Sequence, residues 1–225
     1  MEIIVGESAG FCYGVKRAVE GTFEALQNAN GEKIFCFGEL VHNKVVTNKL
    51  KEDGATFVDD INDARSVSII RAHGIRKSDY EYLERENIKF IDYTCPNVLK
   101  IHKIAEEYAQ NGYCIFLLGD KNHPENIGTI SFCGQNSCIL DSLDEVLLAL
   151  ENVKNAGVKK LLVIAQTTYS VEKFNNIINE INSKAKNNME VIVKNTICNA
   201  TNVRQSETEK ISKMVDCMII IRWKK

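Results

Sequence analysis

The 225-residue chain lacks several features that would assign it to a common functional class. No apolar run approaches the roughly 18 residues that a membrane-spanning helix needs. The first residues include neither a basic segment nor a long apolar stretch, so they do not resemble a secretory signal. The 28 Lys and Arg residues are balanced by 30 Asp and Glu residues, and no long basic block occurs. We therefore expect a cytoplasmic protein that binds neither nucleic acid nor membranes.

Proline and histidine are scarce, and their positions are informative. The two prolines, Pro96 and Pro124, lie where a helix should begin, which suits a residue without a backbone N–H group. Three of the four histidines, His42, His73 and His123, follow strand-like runs in short non-helical pieces. One histidine in such a loop is more often structural, but three at equivalent positions indicate a functional site. The fourth lies in a helical segment, and we interpret it as structural.

Short apolar runs alternate with segments of helical periodicity, as in a parallel sheet covered by helices. The apolar runs are residues 33–37, 67–71, 88–92, 114–118, 138–140, 160–165, 190–194 and 217–221. The helical segments are residues 15–29, 43–53, 77–86, 98–111, 143–151, 171–186 and 201–215. We predict an α/β fold, and the length allows one large or two ordinary domains.

Three of the eight cysteines share one kind of position, the end of an apolar run where a helix should begin. They are Cys12 after residues 2–5, Cys95 after residues 89–92, and Cys198 after residues 190–193. A helix N-terminus favours negative charge, so each position suits a reactive or metal-ligating thiolate. Three such ligands directed at one point would leave one iron of a four-iron, four-sulfur cluster open to chemistry.

The other cysteines favour simpler interpretations. Cys36, Cys114 and Cys217 lie inside apolar runs and are expected to be inert core thiols. Cys133 and Cys138 could form half of a zinc site with His123, although a second paired motif is lacking. Eight cysteines would suit a disulfide scaffold only in a small secreted protein, a context that this sequence does not have.

Polar side chains at other strand ends add a candidate acid and its neighbours. Glu125 lies near a helix start, so it would need burial or an anionic neighbour to raise its pKa and act as an acid. Thr167 and Thr168 end the run 161–165 and offer hydroxyl donors at the same rim. The alternative for these two threonines is that they cap the following helix.

Seven motifs in order resemble the 4-hydroxy-3-methylbut-2-enyl diphosphate reductase family of the non-mevalonate isoprenoid pathway. They are Gly10-Phe11-Cys12-Tyr13-Gly14-Val15, Val41-His42-Asn43, Ala72-His73-Gly74, Thr94-Cys95-Pro96, Gly119-Asp120-Lys121-Asn122-His123-Pro124-Glu125, Gln166-Thr167-Thr168 and Cys198-Asn199-Ala200-Thr201. The resemblance implies three similar α/β units with mostly parallel sheets around a [4Fe-4S] cluster. It implies boundaries at 14–95 and 96–194, with 1–13 plus 195–225 as an incomplete third unit.

The same resemblance assigns roles to individual residues. It implies Cys12, Cys95 and Cys198 as the cluster ligands. The substrate would be 4-hydroxy-3-methylbut-2-enyl diphosphate, which loses its hydroxyl group as water when two electrons and two protons arrive. The products would be isopentenyl and dimethylallyl diphosphate, and the electron donor a protein such as ferredoxin or flavodoxin.

Five further residues match the family's substrate-binding and proton-transfer positions. His42, His73 and His123 match histidines of the diphosphate site. Glu125 matches the residue that relays protons, and Thr167 the one that orders the hydroxyl group. Donor histidines can neutralise a diphosphate without a large basic patch, which agrees with the balanced charge.

The resemblance ends at the final residues of the chain. Members of the family continue through a Gly-Gly-Lys-Asn-Ser-Ser-Asn-like turn and a further strand and helices that supply serine and asparagine ligands to the diphosphate. This chain instead ends in Arg222-Trp223-Lys224-Lys225. A one-base frame slip would convert Gly-Gly-Lys codons into this ending, and we expect a truncated product with impaired activity. Two alternatives are a non-catalytic protein that carries a cluster and another open-iron enzyme such as a hydro-lyase. The His-Pro-Glu and Gln-Thr-Thr motifs argue against the hydro-lyase.

Overall fold

The structure is a computed structural model that describes residues 2–41, 43–185 and 189–221. The α-helices in this part of the chain are α1 Tyr13–Gln27, α2 Lys44–Glu52, α3 Lys77–Arg85, α4 Pro96–Gln110, α5 Pro124–Ile130, α6 Leu143–Asn155, α7 Val171–Ala185 and α8 Asn199–Ser212. The strands are β1 Ile34–Phe37, β2 Thr56–Val58, β3 Val67–Ile70, β4 Lys89–Asp92, β5 Cys114–Leu118, β6 Ser137–Leu140, β7 Lys160–Ala165 and β8 Glu190–Val193. A short 3₁₀ turn covers Ile61–Asp63.

The strands form two four-stranded sheets, and every pair of neighbouring strands is parallel. The first sheet has the order β2-β1-β3-β4, and the second has the order β6-β5-β7-β8. The predicted α/β fold with parallel sheets is therefore confirmed. The chain divides into two compact units, one of residues 1–72, 83–95 and 198–225, the other of residues 73–82 and 96–197. The finer division into three units remains a prediction.

Helices cover the sheets because successive side chains of a strand point to opposite faces, and both faces are apolar. In the second unit, Phe116 packs in one core cluster with α6 and α7, whereas Ile115 and Leu117 pack in another with α4. In the first unit, Ala18 and Val19 of α1 pack with side chains of the first sheet. Both α2 and α6 begin at polar caps, where Asn43 accepts from Val45 N–H and Ser142 accepts from Glu145 N–H.

Two predicted strands are wrong. Residues 2–5 and 217–221 are irregular and largely exposed, with Val5 at 75% and Ile221 at 86% of full exposure. An apolar run becomes a strand only where another strand completes its hydrogen-bond ladder, and no described strand pairs with either segment. The sequence pattern also missed β2, which has only three residues. The described helices are not long and apolar enough to span a membrane.

The cysteines inside the apolar runs have two different outcomes. Cys36 and Cys114 are buried as predicted, and burial raises the pKa of their thiols to about 12 and about 11. Both are therefore protonated and unreactive at neutral pH. The prediction for Cys217 is wrong, because this residue lies in the irregular segment near the chain end and is exposed.

Candidate functional site

The three candidate ligand cysteines stand at helix N-termini, as the sequence predicts. Cys12 is the N-cap residue of α1 and Cys198 that of α8, and neither side chain makes a capping hydrogen bond. Cys95 directly precedes Pro96, the first residue of α4. All three are half-buried, in contrast to Cys36 and the other core thiols. Each position combines access to a ligand with the positive end of a helix dipole.

Cys95 lies against the first turn of α1. A Cβ atom added to Gly14 would stand 2.7 Å from the Sγ atom of Cys95, closer than real Cβ contacts. Gly14 is buried, and it is the second residue after Cys12 in the sequence. The absence of a side chain at Gly14 therefore allows the Cys95 thiol to approach the helix that begins at Cys12.

Helix α8 is tied to the loop that leads to Cys12. The carboxylate of Glu207 accepts hydrogen bonds from Glu7 N–H at 2.7 Å, from Ser8 N–H at 3.0 Å, and from the Ser8 hydroxyl group. Arg204 donates from Nε to the Ser8 carbonyl at 3.1 Å and from Nη2 to the Gly10 carbonyl at 2.6 Å. The helix that begins at Cys198 thus contacts the segment just before Cys12.

The donor set fits an iron-sulfur cluster, because thiolates are the ligands that such clusters use. Within the described residues, however, no group of three or more His, Cys, Asp or Glu side chains has the proximity to hold a metal ion. The assignment of Cys12, Cys95 and Cys198 as ligands therefore remains a prediction. It rests on their shared helix-start positions and on the contacts that connect their loops.

The zinc alternative has weaker support. Burial raises the pKa of Cys133 to about 12, and its Sγ atom donates a hydrogen bond to the Thr129 carbonyl at 3.3 Å. A thiol held in this way does not readily become a thiolate ligand. The pKa of Cys138 is also raised by burial. Neither cysteine forms a metal-binding group with His123 among the described residues.

In the second unit, Glu125 and Thr167 form a buried pair. Thr167 donates its backbone N–H to Glu125 Oε1 and its hydroxyl to Oε2, each at 2.6 Å. Glu125 is in the first turn of α5, and Thr167 lies two residues beyond the end of β7. The capping alternative for Thr167 and Thr168 is wrong, since Ser170 accepts the hydrogen bond from Lys173 N–H in the first turn of α7.

The environment of Glu125 sets its protonation in two opposing ways. The side chain is only 3% exposed, and desolvation raises the pKa of its carboxyl group. The two hydrogen bonds from Thr167 stabilise the ionised form and lower that pKa, but the net direction is upward. Burial, one of the two conditions named from the sequence, is thus met, and Glu125 can hold a proton at a higher pH than an exposed glutamate.

The second unit also brings two of the candidate histidines together. The rings of His73 and His123 meet edge to face, with centroids 5.3 Å apart. His123 caps α5, where its Nδ1 atom accepts from Glu125 N–H at 3.2 Å, so the ring proton of the neutral form resides on Nε2. His42 lies outside the described residues. The helical histidine, His102, is buried and stacks on Phe132, which agrees with a structural role.

The sequence analysis did not predict a network of side-chain amides beside the Glu125–Thr167 pair. Asn126 Nδ2 donates to Gln166 Oε1 and to the Asp120 carbonyl, both at 2.8 Å. Gln166 in turn donates from Nε2 to the Thr168 hydroxyl. A Cβ atom at Gly119 would stand 2.3 Å from Asn126 Nδ2, so the network needs glycine there. Asn126 directly follows Glu125, and Gln166 directly precedes Thr167. This adjacency to two candidate site residues is the sequence feature that could have predicted the network.

Comparison with protein families adds the decisive observation. The family model described as "LytB protein" matches residues 3–225 of this chain. The chain belongs to the LytB protein family. Its members include a 4-hydroxy-3-methylbut-2-enyl diphosphate reductase of Caldanaerobacter subterraneus subsp. tengcongensis, 40% identical over 225 residues, which are 98% of this chain and 75% of the relative. Another, from Aquifex aeolicus, is 38% identical over 226 residues and is covered to 74%.

Solved structures agree with this LytB assignment. A structure of (E)-4-hydroxy-3-methylbut-2-enyl diphosphate reductase, the terminal enzyme of the non-mevalonate pathway, superposes with a TM-score of 0.77 at 36% identity. It covers 95% of this chain and 74% of the solved one. The structure of the Plasmodium falciparum reductase superposes with a TM-score of 0.80 at 34% sequence identity. The match covers 91% of this chain and 63% of the solved chain. The family resemblance read from the seven motifs is confirmed, and the chain is a homologue of these reductases.

Replacing Thr167 by Val should raise the pKa of Glu125 further. Valine keeps the branched shape but removes the hydroxyl donor to Oε2, which stabilises the ionised carboxylate. The infrared band of the protonated carboxyl group, identified by its loss in Glu125→Gln, should titrate at higher pH in Thr167→Val. Thr168→Val is the matched control, because Thr168 is exposed and bonds Gln166 instead. An unchanged titration in Thr167→Val would contradict this account.

The same change should alter stability in a pH-dependent direction. A raised carboxyl pKa means that the folded state binds the proton more tightly than the unfolded state, so stability falls as pH rises above the unfolded pKa and through the folded one. Because Thr167→Val raises the folded pKa further, its loss of stability relative to the unsubstituted chain should grow as the pH rises from the folded pKa of the unsubstituted chain to that of the variant. Denaturant unfolding at several pH values measures this difference.

Proposed function

We propose that this chain catalyses the reductive dehydroxylation of 4-hydroxy-3-methylbut-2-enyl diphosphate to isopentenyl and dimethylallyl diphosphate. The support is membership of the LytB family together with relatives that carry this reductase name. The proposal includes a [4Fe-4S] cluster on Cys12, Cys95 and Cys198 and a protein electron donor such as ferredoxin or flavodoxin. The cytoplasmic location expected from the sequence is also part of it.

The cysteine positions support the cluster part of the proposal. Each thiol is at a helix start, where the helix dipole attracts negative charge, and all three are half-buried, whereas Cys133 is buried in the core. When bound, a cluster with three thiolate ligands supplies an open, Lewis-acidic iron for the leaving hydroxyl group and a store for incoming electrons. Cys12, Cys95 and Cys198 would hold it.

The Glu125–Thr167 pair carries the proposal most directly. The overall reaction takes up two protons, one as the hydroxyl group leaves as water and one at a carbon of the allyl intermediate, so the site needs a proton donor. Burial raises the pKa of Glu125, which favours its protonated form, and the Thr167 hydroxyl group lies 2.6 Å from its Oε2 atom. In this role Glu125 donates a proton through Thr167, and the Thr167 hydroxyl orients the substrate's hydroxyl group.

The histidines supply the donors for the diphosphate group. His123, with its proton on Nε2, can donate to a phosphate oxygen, and His73 lies edge to face against it. His42 belongs to the same proposed set, although it lies outside the described residues. Hydrogen bonds to charged groups are the stronger ones, so a few histidine donors can hold a diphosphate in a chain without a basic patch.

Replacement of any one ligand cysteine by serine should remove most of the cluster, because a serine oxygen is a harder and poorer ligand for cluster iron. Iron and sulfide content after anaerobic reconstitution, with the visible absorption of the cluster, measures the loss. Cys217→Ser and Cys36→Ala are the controls, one at an exposed thiol and one at a core thiol. Cluster content unchanged by Cys198→Ser would overturn the ligand assignment.

Glu125→Gln should separate proton delivery from substrate binding. The substitution keeps the side-chain shape but removes the titratable proton, so in a full-length context turnover should fall by ~10²–10⁴, the usual range for lost general acid catalysis. Substrate-dependent changes in the cluster spectrum should persist. A binding defect as large as the turnover defect would make Glu125 a positioning residue instead. The hydro-lyase and the non-catalytic carrier both predict no reductase turnover even in the unsubstituted protein in a full-length context.

We also propose that a polypeptide of only these 225 residues is a poor catalyst. The family resemblance assigns serine and asparagine diphosphate ligands to a segment beyond Ile221, and Arg222–Lys225 lie outside the described residues. Each hydrogen bond to a charged group contributes roughly 1.5–3 kcal/mol, so loss of three would weaken substrate binding by several powers of ten.

Appending the corresponding segment of the Caldanaerobacter relative should restore activity to the 225-residue polypeptide. The measurement is steady-state turnover with a chemical reductant, which removes any dependence on a protein electron donor. Cluster content should be the same with and without the added segment, because all three proposed ligands precede it. Turnover by the 225 residues alone that matches the extended protein would contradict this expectation.

A further inference from the structure

One face of α1 is fitted to the short segment 92–95 that ends in Cys95. Gly14, Arg17 and Gly21 are separated by three and four residues, so they lie on the same side of the helix. Each contacts a different part of that segment. Gly14 faces the Cys95 thiol, Arg17 binds the backbone before it, and Gly21 faces the ring of Tyr93.

Arg17 makes the polar contacts of this face. Its Nη2 atom donates to the Asp92 carbonyl at 3.0 Å and its Nη1 atom donates to the Thr94 carbonyl at 3.2 Å. The guanidinium carbon lies 5.4 Å from the centroid of the intervening Tyr93 ring, within the range of a cation–π contact. One planar group thus spans two carbonyls and one ring, which the point charge of a lysine cannot reproduce.

The two glycines allow this close approach. A Cβ atom at Gly21 would stand 2.3 Å from Tyr93 Cζ, and one at Gly14 would stand 2.7 Å from Cys95 Sγ. Any side chain at either position would displace the segment from the helix. The approach therefore depends on small residues on both sides of Arg17 as well as on its hydrogen bonds.

The opposite side of the segment makes backbone hydrogen bonds to the end of β3 and to the chain that follows it. Tyr93 N–H donates to the Ile70 carbonyl and Cys95 N–H to the Ala72 carbonyl, both at 3.0 Å, which continues the pairing of β3 with β4. Thr94 N–H instead donates to the Asp92 side chain at 2.7 Å. The carbonyls of Asp92 and Thr94 thus turn towards α1, where Arg17 supplies donors for them.

We propose that Arg17 is a positioning residue for the Cys95 thiol. By holding the carbonyls of Asp92 and Thr94, it fixes the backbone directly before Cys95 and keeps the Sγ atom against the α1 turn that follows Cys12. This inference rests on the proposed ligand role of Cys95 and adds to it the residue that sets the ligand's position. Arg17 itself touches neither substrate nor cluster in this role.

The first test uses the cluster-free chain and measures alkylation of each cysteine by mass spectrometry. Arg17→Met keeps the stem but removes both donors, and Arg17→Lys keeps the charge but not the planar group. Arg17→Met should raise the alkylation rate of Cys95 about tenfold, the factor that about 1.4 kcal/mol of lost local stability gives. The rate for Cys198 should not change. Lys16→Met is the control, since Lys16 is exposed on the same helix.

The second test uses the reconstituted chain under anaerobic conditions. Arg17→Met should shift the electron paramagnetic resonance spectrum and the midpoint potential of the cluster, with Arg17→Lys intermediate and Lys16→Met unchanged. Far-UV circular dichroism of the cluster-free variants reports whether the fold itself is retained, and Arg17→Lys carries the test if Arg17→Met does not fold.

Together the tests distinguish failure of the positioning role of Arg17 from failure of the ligand role of Cys95. If Cys95 alkylation, the spectrum and the potential are the same in both Arg17 variants as in the unsubstituted chain, the positioning role is wrong. If Cys95→Ser retains a normal cluster, the ligand assignment is wrong and the positioning proposal falls with it, whatever the alkylation rates show. Faster Cys95 alkylation together with an altered spectrum in Arg17→Met supports the proposal.

Discussion

Parallel strand pairing is the constraint on which the candidate residues depend. Within each sheet all strands run in one direction, so all their carboxyl ends, and the loops that lead to the next helices, lie at one edge. In the first sheet Cys95 follows β4, and in the second Thr167 follows β7. The connecting helices start at the same edge, where their unpaired N–H groups favour anions such as thiolates and phosphates.

The second consequence of this architecture is a dry environment for Glu125. Parallel sheets are covered on both faces, and the five residues of β5 and the last five of β7 are fully buried. A carboxyl group at the rim of such a core loses hydration, and hydrogen bonds from Thr167 only partly compensate for that loss. The amides of Asn126 and Gln166 bond each other beside this pair, so two parallel contacts connect α5 to the end of β7.

The sequence was sufficient for those features in which the side chain itself carries the information. Alternating apolar runs predicted seven of the eight described strands, because buried strands need apolar residues whatever their neighbours are. It failed at residues 2–5 and 217–221, where strand formation depends on a partner that a local pattern cannot reveal. Glu125 and the cysteines were found because their chemistry is in the residue type, and the family motifs then assigned their roles.

The contacts that hold these residues were invisible for a physical reason. Arg17 binds backbone carbonyls of Asp92 and Thr94, and Glu207 binds backbone N–H groups of Glu7 and Ser8, groups that nearly every residue possesses. Such contacts depend on the course of the chain and leave no mark on the residues that receive them. In the sequence, such contacts are visible only in the residues whose side chains make the hydrogen bonds and in glycines such as Gly14 that permit close approach. In the first unit, therefore, substitutions in α1 and α8 should disturb the cysteine loops more than substitutions within the loops' own backbone-bonded positions.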